Sequence, residues 1–349
     1  MILIKNLQKR WKNFSLKNIN LQINNGEYFV ILGPTGAGKT LLLETIAGFH
    51  YPDEGEVWIN GKNVTYFPPE KRGIGFVYQD YMLFPHMTVE ENVEFGLKTR
   101  NIPSAERKKV VDETIELLGL SHLRRRLPNT LSGGERQKTA LARALAIKPK
   151  ILLLDEPLSA LDVNTQKRLR EELKNLHKKL KITILHVTHN HFEAYSLAEK
   201  IAIMKDGTII QAGSPEEVFR KPKDNFVARF VGFENLFEGK VVRIHEGIAL
   251  IDINGVKIEA VSSKTGKCTV GIRPDDIIVS KNPLKSSMRN ILKGEISDYI
   301  DMGSLVNLII KAKNLHFIAL ITKRSFTEMK LHKKQKIYIA FKASSVHVI

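Results

Sequence analysis

The chain has 349 residues, of which 43% are hydrophobic and 26% charged, a composition typical of a soluble globular protein with more than one domain. It contains no run of about eighteen apolar residues, and its first residues lack the order of a signal peptide, so we expect a protein that stays in the cytoplasm. The formal net charge of +17 is compatible with nucleic acid, an anionic membrane face or a small anion as partner, and it does not choose among them.

Residues 33 to 40, GPTGAGKT, match the phosphate-binding P-loop pattern in full. A strand predicted over residues 27 to 33 precedes them, and an amphipathic helix predicted over residues 40 to 49 follows. Glycines let successive backbone N–H groups turn toward phosphate oxygens, and the helix N-terminus adds its positive dipole end. We expect Lys39 to reach the outer phosphates and the Thr40 hydroxyl to hold Mg²⁺. The predicted nucleotide-binding residues are Gly33, Pro34, Thr35, Gly36, Ala37, Gly38, Lys39 and Thr40.

Residues 90 to 145 have a mostly helical pattern that Pro103 and Pro128 interrupt. Near-continuous apolar runs at residues 150 to 157 and 181 to 189 then predict strands that are covered on both faces of a sheet. This order predicts a layered α/β domain with a helical insertion.

An acidic pair ends the first of these strands, in the sequence ILLLDE. Asp155 is placed to support Mg²⁺, and Glu156 is placed to orient or deprotonate a water molecule for in-line attack on a phosphate. An acidic pair after a strand is commonly only a solvated strand end. Together with the P-loop, the pair predicts a site of phosphoryl transfer.

Short alternating strands and turns replace the α/β pattern after residues 221 to 235. We place the domain boundary near Gly232, which gives a nucleotide-binding domain over residues 1 to 232 and a small β-barrel or sandwich over residues 233 to 349. Cys268 is the only cysteine, which excludes an intramolecular disulfide and a cysteine-built metal site.

LSGGERQKTALARAL, residues 131 to 145, resembles the signature of the ATP-binding cassette (ABC) family, and Ser132, Gly133 and Gly134 begin its predicted helix. The resemblance implies a homodimer whose two copies pair head to tail, each signature closing on the ATP of the other copy. The implied fold class is an α/β P-loop nucleotide-hydrolase cassette with a helical insertion, followed by a small all-β, OB-like regulatory domain.

Other loops of the family occur in the expected order. The resemblance implies that Gln79 contacts Mg²⁺ and the water, and that His189 is the switch histidine at the γ-phosphate. Asp162 in LSALD matches the D-loop of the family, and we expect it to contact nucleotide together with Ser132, Gly133 and Gly134. Trp11 matches the aromatic residue that stacks on adenine, with Phe14 as the alternative.

Three departures from the family pattern are present: Asn190-His191 after the switch histidine, Glu135 in place of the common Gln, and KTA later in the signature helix. None removes a predicted phosphate-contacting or catalytic group, so we expect active hydrolysis.

Only residues 80 to 131 separate Gln79 from the signature, and they carry no sustained heptads, unlike chromosome-organising cassette proteins. The resemblance therefore implies an importer ATPase, bound to two transmembrane permease subunits on the cytoplasmic side of the cell membrane. A binding protein outside the membrane would deliver the cargo. In that family, the surface around residues 82 to 87 receives a short permease helix, and Phe84, Pro85 and Met87 fit this role.

Three segments of the second domain, residues 286 to 296, 319 to 329 and 341 to 346, resemble the molybdate-binding Mop domain. A tetrahedral oxyanion needs several donors, which hydroxyls, backbone N–H groups and cations supply. The resemblance implies a molybdate or tungstate importer whose hydrolysis is inhibited by oxyanion bound at this domain. The candidate oxyanion-binding residues are Ser287, Arg289, Asn290, Lys342, Ser344 and Ser345.

Other functions remain alternatives at this point. The same motor fits an importer of sulfate, a sugar, a polyamine or ferric iron. GIRPDD, residues 271 to 276, resembles a motif in the regulatory barrels of many importer ATPases, including those for sugars, polyamines and ferric iron, so it does not distinguish among them. A nucleic-acid-dependent ATPase is allowed by the charge but is not expected, and an oxyanion-storage protein would leave the P-loop and signature unexplained.

Overall fold

Two units make up the fold, which a computed structural model describes for residues 1 to 284 and 286 to 349. They are Met1–Pro215 and Glu216–Ile349. The division lies earlier in the chain than the boundary expected near Gly232, so the residues between these two points belong to the second unit.

The first unit combines an antiparallel sheet, a mostly parallel sheet and helices. Its elements in chain order are β1 (Ile2–Arg10), β2 (Ser15–Ile23), β3 (Tyr28–Leu32), α1 (Lys39–Ala47), β4 (Glu54–Ile59), β5 (Lys62–Asn63), β6 (Ile74–Val77), α2 (Val89–Thr99), α3 (Ser104–Leu117), α4 (Gly133–Ala146), β7 (Ile151–Asp155), α5 (Val163–Leu180), β8 (Thr183–Thr188), α6 (His191–Leu197), β9 (Lys200–Lys205) and β10 (Thr208–Gly213).

The parallel part of the larger sheet supports the predicted site. The strand order is β10-β9-β3-β8-β7-β6, and β9, β3, β8, β7 and β6 run parallel. All residues of β3, β7 and β8 are buried, as the continuous apolar runs predict for a sheet covered on both faces. The P-loop strand and the two later strands predicted from the sequence are confirmed.

The antiparallel sheet has the order β2-β1-β4-β5 and was not predicted. Its inward side chains, among them Ile4, Leu7 and Val57, form one core with Phe29 of β3 and Leu42 of α1. This core fixes the P-loop strand and the helix that follows it.

The helical insertion contains α2, α3 and α4, with breaks close to the two prolines that the sequence singled out. Both α2 and α4 begin with a capping box, Thr88 with Glu91 and Ser132 with Glu135. The fully buried Asn92 shapes the preceding loop, because its side-chain N–H donates to the carbonyls of Phe84, Met87 and Thr88.

The second unit is mostly β-structure. Its elements are α7 (Pro215–Arg220, which begins at the last residue of the first unit), α8 (Asn225–Phe230), β11 (Asn235–His245), β12 (Ile248–Ile253), β13 (Val256–Val261), β14 (Lys267–Ile272), β15 (Ile278–Ser280), β16 (Asn290–Asp301), β17 (Leu305–Ala312), β18 (Leu315–Thr322), α9 (Lys323–Glu328), β19 (Lys336–Phe341) and β20 (His347–Val348).

Two antiparallel sheets, β13-β12-β11-β14-β20 and β15-β19-β16-β17-β18, share one hydrophobic core in this unit. Asn235 joins them: its side chain donates to the carbonyls of Ile272 and Ile318 and accepts from the Ile318 N–H. These curled sheets confirm the predicted small all-β, OB-like domain. The residues described include no helix that is both long enough and apolar enough to cross a membrane.

Candidate functional site

The carboxyl ends of four neighbouring parallel strands gather the predicted nucleotide site. Gly33 follows β3, His189 follows β8, Asp155 ends β7, and Gln79 lies just after β6. Since parallel strands end at the same edge of a sheet, loops far apart in sequence meet there. A cleft of ≈ 700 Å³ opens at this edge; its lining residues are Phe14, Thr35, Gly36, Gly38, Lys39, Thr40, Leu41, Gln79, Glu156, Ser159, Ala160 and His189.

The P-loop has the backbone that its glycines predict. Gly36 and Gly38 have φ of 82° and 97°, a left-handed conformation that other residues adopt only with strain. The buried Lys39 Nζ donates to the carbonyls of Gly33 at 2.9 Å and Pro34 at 3.0 Å. Desolvation lowers the Lys39 pKa, although the charges of Glu156 and Asp155 oppose the shift. The ammonium is thus held at the floor of the loop by weak acceptors that a phosphate can replace.

Asp155 and Thr40 supply oxygen atoms beside the loop. The Thr40 hydroxyl donates to Asp155 Oδ1 at 3.0 Å, and the Asp155 side chain is 4% exposed. Burial raises the Asp155 pKa to about 6, and the charge of Glu156 adds to the increase while the Thr40 hydrogen bond opposes it. A buried carboxylate next to a hydroxyl is a donor set that fits Mg²⁺.

Glu156 stands at the centre of the site in a strained conformation, with φ of 42°. Its N–H donates to the Val187 carbonyl at 3.0 Å, and its own carbonyl accepts from the Ser159 N–H and hydroxyl at 3.2 and 3.0 Å. These bonds turn the side chain into the cleft, where Oε1 lies 3.8 Å from Lys39 Nζ. The carboxylate can accept a proton from a water molecule at this position.

His189 meets this carboxylate from the neighbouring strand. Its Nδ1 lies 2.9 Å from Glu156 Oε2, and the ring is half exposed to the cleft. The next residue, Asn190, caps α6 by accepting from the Phe192 and Glu193 N–H groups. Asn is a good N-cap, so the departure at residue 190 leaves the helix start intact.

The signature residues lie outside this cleft. Ser132 caps α4, and Glu135 completes the capping box by accepting from the Ser132 N–H at 2.7 Å. Glu135 therefore has a helix-capping role at the position of its departure from the family pattern. A Cβ on Gly133 would lie 2.9 Å from Leu161 Cδ2, so a larger residue there would displace the end of the Leu161 side chain.

Asp162 caps α5, where its carboxylate accepts from the N–H groups of Asn164 and Thr165. Within the described part of one chain, neither Asp162 nor Ser132, Gly133 and Gly134 are among the residues that line the cleft. Their predicted contacts with nucleotide would therefore have to be made to another copy of the chain.

Phe14, and not Trp11, is among the described residues that line the cleft. A Cβ on Gly38 would lie 2.4 Å from Phe14 Cζ, so this ring lies directly against the P-loop. Trp11 is half-buried and packs edge-on against His50, with ring centroids 5.3 Å apart. The geometry favours Phe14 as a wall of the cleft, and the adenine contact of Trp11 stays a prediction.

The loop predicted to receive a permease helix is partly open. Pro85 is exposed and Met82 is 56% exposed, whereas Phe84 is half-buried against Phe95, with ring centroids 4.4 Å apart. Arg143 of α4, which the sequence did not single out, donates to the carbonyls of Tyr81 and Met82. It fixes two consecutive residues with left-handed φ of 61° and 49°.

Three of the candidate oxyanion residues, Arg289, Asn290 and Lys342, lie around one sheet edge in the second unit. Asn290 of β16 pairs with Phe341 of β19, and continuing this antiparallel register places Arg289 opposite Lys342. Asn290 is 4% exposed, and its side chain both donates to and accepts from the Glu259 backbone. Arg289 pairs with the Glu259 carboxylate at 3.1 Å.

Ser344 and Ser345 belong to a short 3₁₀ turn, Ala343–Ser345, that follows Lys342, and Ser287 is exposed before β16. The closing segment is thus a turn between two strands. Of the six candidates, Asn290 is buried with its side chain bonded to the Glu259 backbone, and Arg289 is exposed but paired with the Glu259 carboxylate. The other four have side chains that are at least partly exposed.

The remaining Mop-like segment lies elsewhere. Thr322 pairs with Leu305 and caps α9, and Lys323 forms an ion pair with Asp301 at the far end of β16 from Asn290. β16 has 12 residues, which at about 3.3 Å per residue separates its ends by roughly 36 Å. Within one chain the three Mop-like segments do not form a single site.

Several residues at the nucleotide site were missed. Ser159 and Ala160 line the cleft, and they lie in the sequence LSALD, residues 158 to 162, in which the sequence analysis singled out Asp162 alone. His186 and Glu193 form a buried polar pair behind His189. His186 is a polar residue inside an otherwise apolar strand, and this pattern in the sequence could have identified it.

Two family models match the chain. Residues 16–159 match the model described as ABC transporter, and residues 286–348 match the model described as TOBE domain. In addition, a solved dimeric structure of an ATP-binding cassette in a post-hydrolysis state, bound to ADP and Pi, is 35% identical with a TM-score of 0.56, covering 62% of this chain and 99% of that chain.

Similar proteins extend over both units. The molybdate/tungstate import ATP-binding protein of Pyrococcus abyssi is 45% identical over 348 residues, 100% of either chain. That of Thermococcus kodakarensis is 46% identical, covering 90% of this chain and 94% of the relative. The Fe(3+) ions import ATP-binding protein of Fusobacterium nucleatum is 39% identical, covering 84% of this chain and 80% of the relative. The chain therefore belongs to the ABC transporter family, as an ATP-hydrolysing importer subunit with a C-terminal TOBE domain.

Proposed function

We propose that this chain is the ATP-hydrolysing subunit of a molybdate/tungstate importer. The observation that carries the proposal is similarity to relatives named for this import, at 45% identity over the whole chain and at 46% identity over 90% of it. The relative named for ferric iron is less similar and leaves part of both chains unmatched. Import of ferric iron, a polyamine, a sugar or sulfate is therefore the weaker proposal.

In the proposed mechanism, ATP enters the cleft at the strand ends. Its phosphates replace the Gly33 and Pro34 carbonyls as partners of Lys39. Glu156 holds the attacking water and takes its proton, and His189 fixes the Glu156 carboxylate from the opposite side. Gln79 contacts the same water from its loop, and the backbone bonds of Glu156 with Val187 and Ser159 keep the side chain in place before ATP arrives.

Thr40, Asp155 and Gln79 are the residues that would hold Mg²⁺. When bound, Mg²⁺ neutralises charge that develops on the β- and γ-phosphates. The oxygen donors at Thr40 and Asp155 support this assignment, because the metal prefers a few protein oxygens together with phosphates.

Two copies of the chain would complete two ATP sites. Ser132, Gly133, Gly134 and Asp162 lie away from the cleft of their own chain, which supports a head-to-tail homodimer. The dimer would lie on the cytoplasmic side of the membrane and bind two permease subunits through the partly exposed loop around Met82 and Pro85. A binding protein on the other side would deliver the oxyanion.

The second unit would sense imported oxyanion. Arg289 and Lys342 supply two cations, Ser287, Ser344 and Ser345 supply hydroxyls, and the Asn290 contribution would come from its backbone. Since the Thr322 segment lies at the far end of β16, a complete site would draw on two copies. Bound oxyanion would then hold the dimer in an inactive arrangement, which is linkage between two sites.

The test is ATP hydrolysis by the complete transporter in the presence of its binding protein. Molybdate or tungstate on the delivery side should stimulate hydrolysis, and sulfate, spermidine or ferric iron should not. The proposed substrate class would be abandoned if spermidine or ferric iron stimulated hydrolysis and the two oxyanions did not.

A further inference from the structure

A buried polar cluster lies behind His189 and has no part in the mechanism above. It consists of Tyr28 on β3, His186 and Thr188 on β8, and Glu193 on α6. These side chains are 0 to 2% exposed. Since burying polar groups costs free energy unless they are satisfied, the cluster requires an explanation.

Thr188 connects the cluster to the switch histidine. Its hydroxyl donates to Glu193 Oε2 at 2.8 Å and accepts from the Asn190 N–H at 3.0 Å. Thr188 and Asn190 are the two neighbours of His189 in the chain. One hydroxyl therefore fixes the backbone on both sides of His189, and Glu193 fixes the orientation of that hydroxyl.

His186 lies beside Glu193. Its Nε2 is 3.7 Å from Glu193 Oε2, beyond hydrogen-bond distance, and its Nδ1 lies 3.1 Å from the Tyr28 hydroxyl. Burial lowers the His186 pKa to about 3 and raises that of Tyr28, so the ring is neutral and the phenol stays protonated. When the phenol donates to Nδ1, the remaining ring N–H faces Glu193.

The charges that face Glu193 are Arg170 from α5 and Glu156 and His189 from the cleft side. Burial raises the Glu193 pKa, and the Thr188 hydrogen bond and the charge of Arg170 act in the opposite direction. Arg170 also lies over the Phe192 ring, with its Cζ 4.4 Å from the centroid, so it holds α6 against α5.

We propose that Glu193 is a positioning residue that, through the Thr188 hydroxyl, keeps His189 in contact with Glu156. This inference rests on the role proposed above for His189. Glu193 does not itself reach the cleft lining among the described residues. Loss of its contact with Thr188 should leave ATP binding intact and slow hydrolysis, because only the His189 to Glu156 contact is loosened.

The test uses two pairs of variants of the full-length chain. Glu193→Ala and Thr188→Val remove the connection, whereas Glu193→Gln and Thr188→Ser keep an acceptor and a hydroxyl in place. The same Glu→Ala change at the exposed Glu171 of α5 is the matched control. ATP affinity is measured with a fluorescent analogue, and single-turnover hydrolysis with γ-labelled ATP. We expect about a tenfold slower hydrolysis for the first pair, equivalent to ~1.4 kcal/mol, with unchanged affinity and near-normal rates for the second pair.

A second measurement separates positioning from a general loss of structure. His189→Ala is combined with Glu193→Ala and assayed over long single turnovers. If Glu193 acts through His189, it adds no further loss to the His189→Ala rate. A full additional loss, or equal losses in both members of each pair, overturns the inference. An unchanged rate for His189→Ala alone would instead refute the role proposed for that histidine.

Discussion

His189 Nδ1 lies 2.9 Å from Glu156 Oε2, although 32 residues separate them in the sequence. The contact arises because β7 and β8 are parallel neighbours, so the residues that follow them lie at one edge of the sheet. The other carboxylate oxygen lies 3.8 Å from Lys39 Nζ. Glu156 therefore lies between a half-exposed ring and the Lys39 ammonium, at the position proposed for the attacking water.

Replacing Glu156 by Gln removes the proton acceptor and keeps the size of the side chain. We expect ATP binding to be unchanged and steady-state hydrolysis to fall by at least about 10²-fold, the usual effect of losing a general base. Phosphate release and equilibrium nucleotide binding are the two measurements. A variant that hydrolyses ATP at the normal rate would remove Glu156 from this role.

Mg²⁺-dependent nucleotide binding should weaken in acid. Burial raises the Asp155 pKa to about 6, so below pH 6 a proton competes with the metal for this carboxylate. The apparent Mg²⁺ affinity should fall by about tenfold per pH unit below 6 and level off above 7. Magnesium titrations at fixed ATP between pH 5 and 8 measure this, with Asp155→Asn as the variant in which only the pH dependence of ATP itself should remain.

The Asp155 carboxyl group also affects the stability of the folded protein when Mg²⁺ is absent. The pKa of Asp155 is higher in the folded protein than its ordinary value, so between about pH 4 and pH 6 the folded protein binds this proton more tightly than the unfolded chain does. The stability that proton binding contributes is therefore lost as the pH rises from about 4 to 6. We expect Asp155→Asn, which can still accept from Thr40, to stabilise the metal-free protein by about 1–3 kcal/mol at pH 7 and to have little effect at pH 4. Urea unfolding at the two pH values checks the sign, and destabilisation at pH 7 would contradict it.

The capping box at the start of α4 predicts how much two substitutions of Glu135 should change the stability of the protein. Glu135→Gln can still accept from the Ser132 N–H and should change stability little, whereas Glu135→Ala should cost about 0.5–1 kcal/mol. Glu91→Ala at the equivalent box on α2 is the matched control for loss of a cap. If Glu135→Gln destabilised the protein as much as Glu135→Ala, the capping role would be wrong.

Substitution of the two cationic residues at one sheet edge, Arg289 and Lys342, tests the proposed oxyanion site. Arg289→Ala and Lys342→Ala should each weaken tungstate binding to the full-length protein by about 10-fold or more, because charge-assisted contacts to the anion are lost. Lys311→Ala, at an exposed position of β17, is the control and should bind normally. Calorimetric titration with tungstate and sulfate measures both affinity and selectivity; equal binding by all three variants would contradict the assignment.

Local patterns predicted the parts of the fold that have one dominant signal. The P-loop, the buried strands β7 and β8 and the start of α4 follow from glycines, apolar runs and a Ser N-cap within a few residues of each other. The antiparallel sheet was missed because β1 and β2 mix polar and apolar residues with several bulges, which obscure the alternation. The contact of Phe14 with Gly38 could not be predicted from the sequence either, because it depends on how the antiparallel sheet packs on α1.

In the second unit, the sequence identified residue types that can bind an oxyanion, but it did not identify the contacts that these residues make. Asn290 was a plausible oxyanion donor, but its amide satisfies the Glu259 backbone, a partner 31 residues away in the chain. The distance between Arg289 and Thr322 likewise depends on the length of β16, which the Mop-like motifs do not encode. Pairing between strands, and not the motifs, determines which candidates meet.

Uptake by the reconstituted transporter tests the central claim most directly. Vesicles containing the permease and this chain, with the binding protein outside and ATP inside, should accumulate labelled molybdate or tungstate, and Glu156→Gln should abolish the accumulation. Sulfate, spermidine and ferric iron should remain outside under the same conditions. Accumulation of one of these in place of the two oxyanions, or oxyanion uptake that continues at the normal rate in Glu156→Gln, would contradict the account.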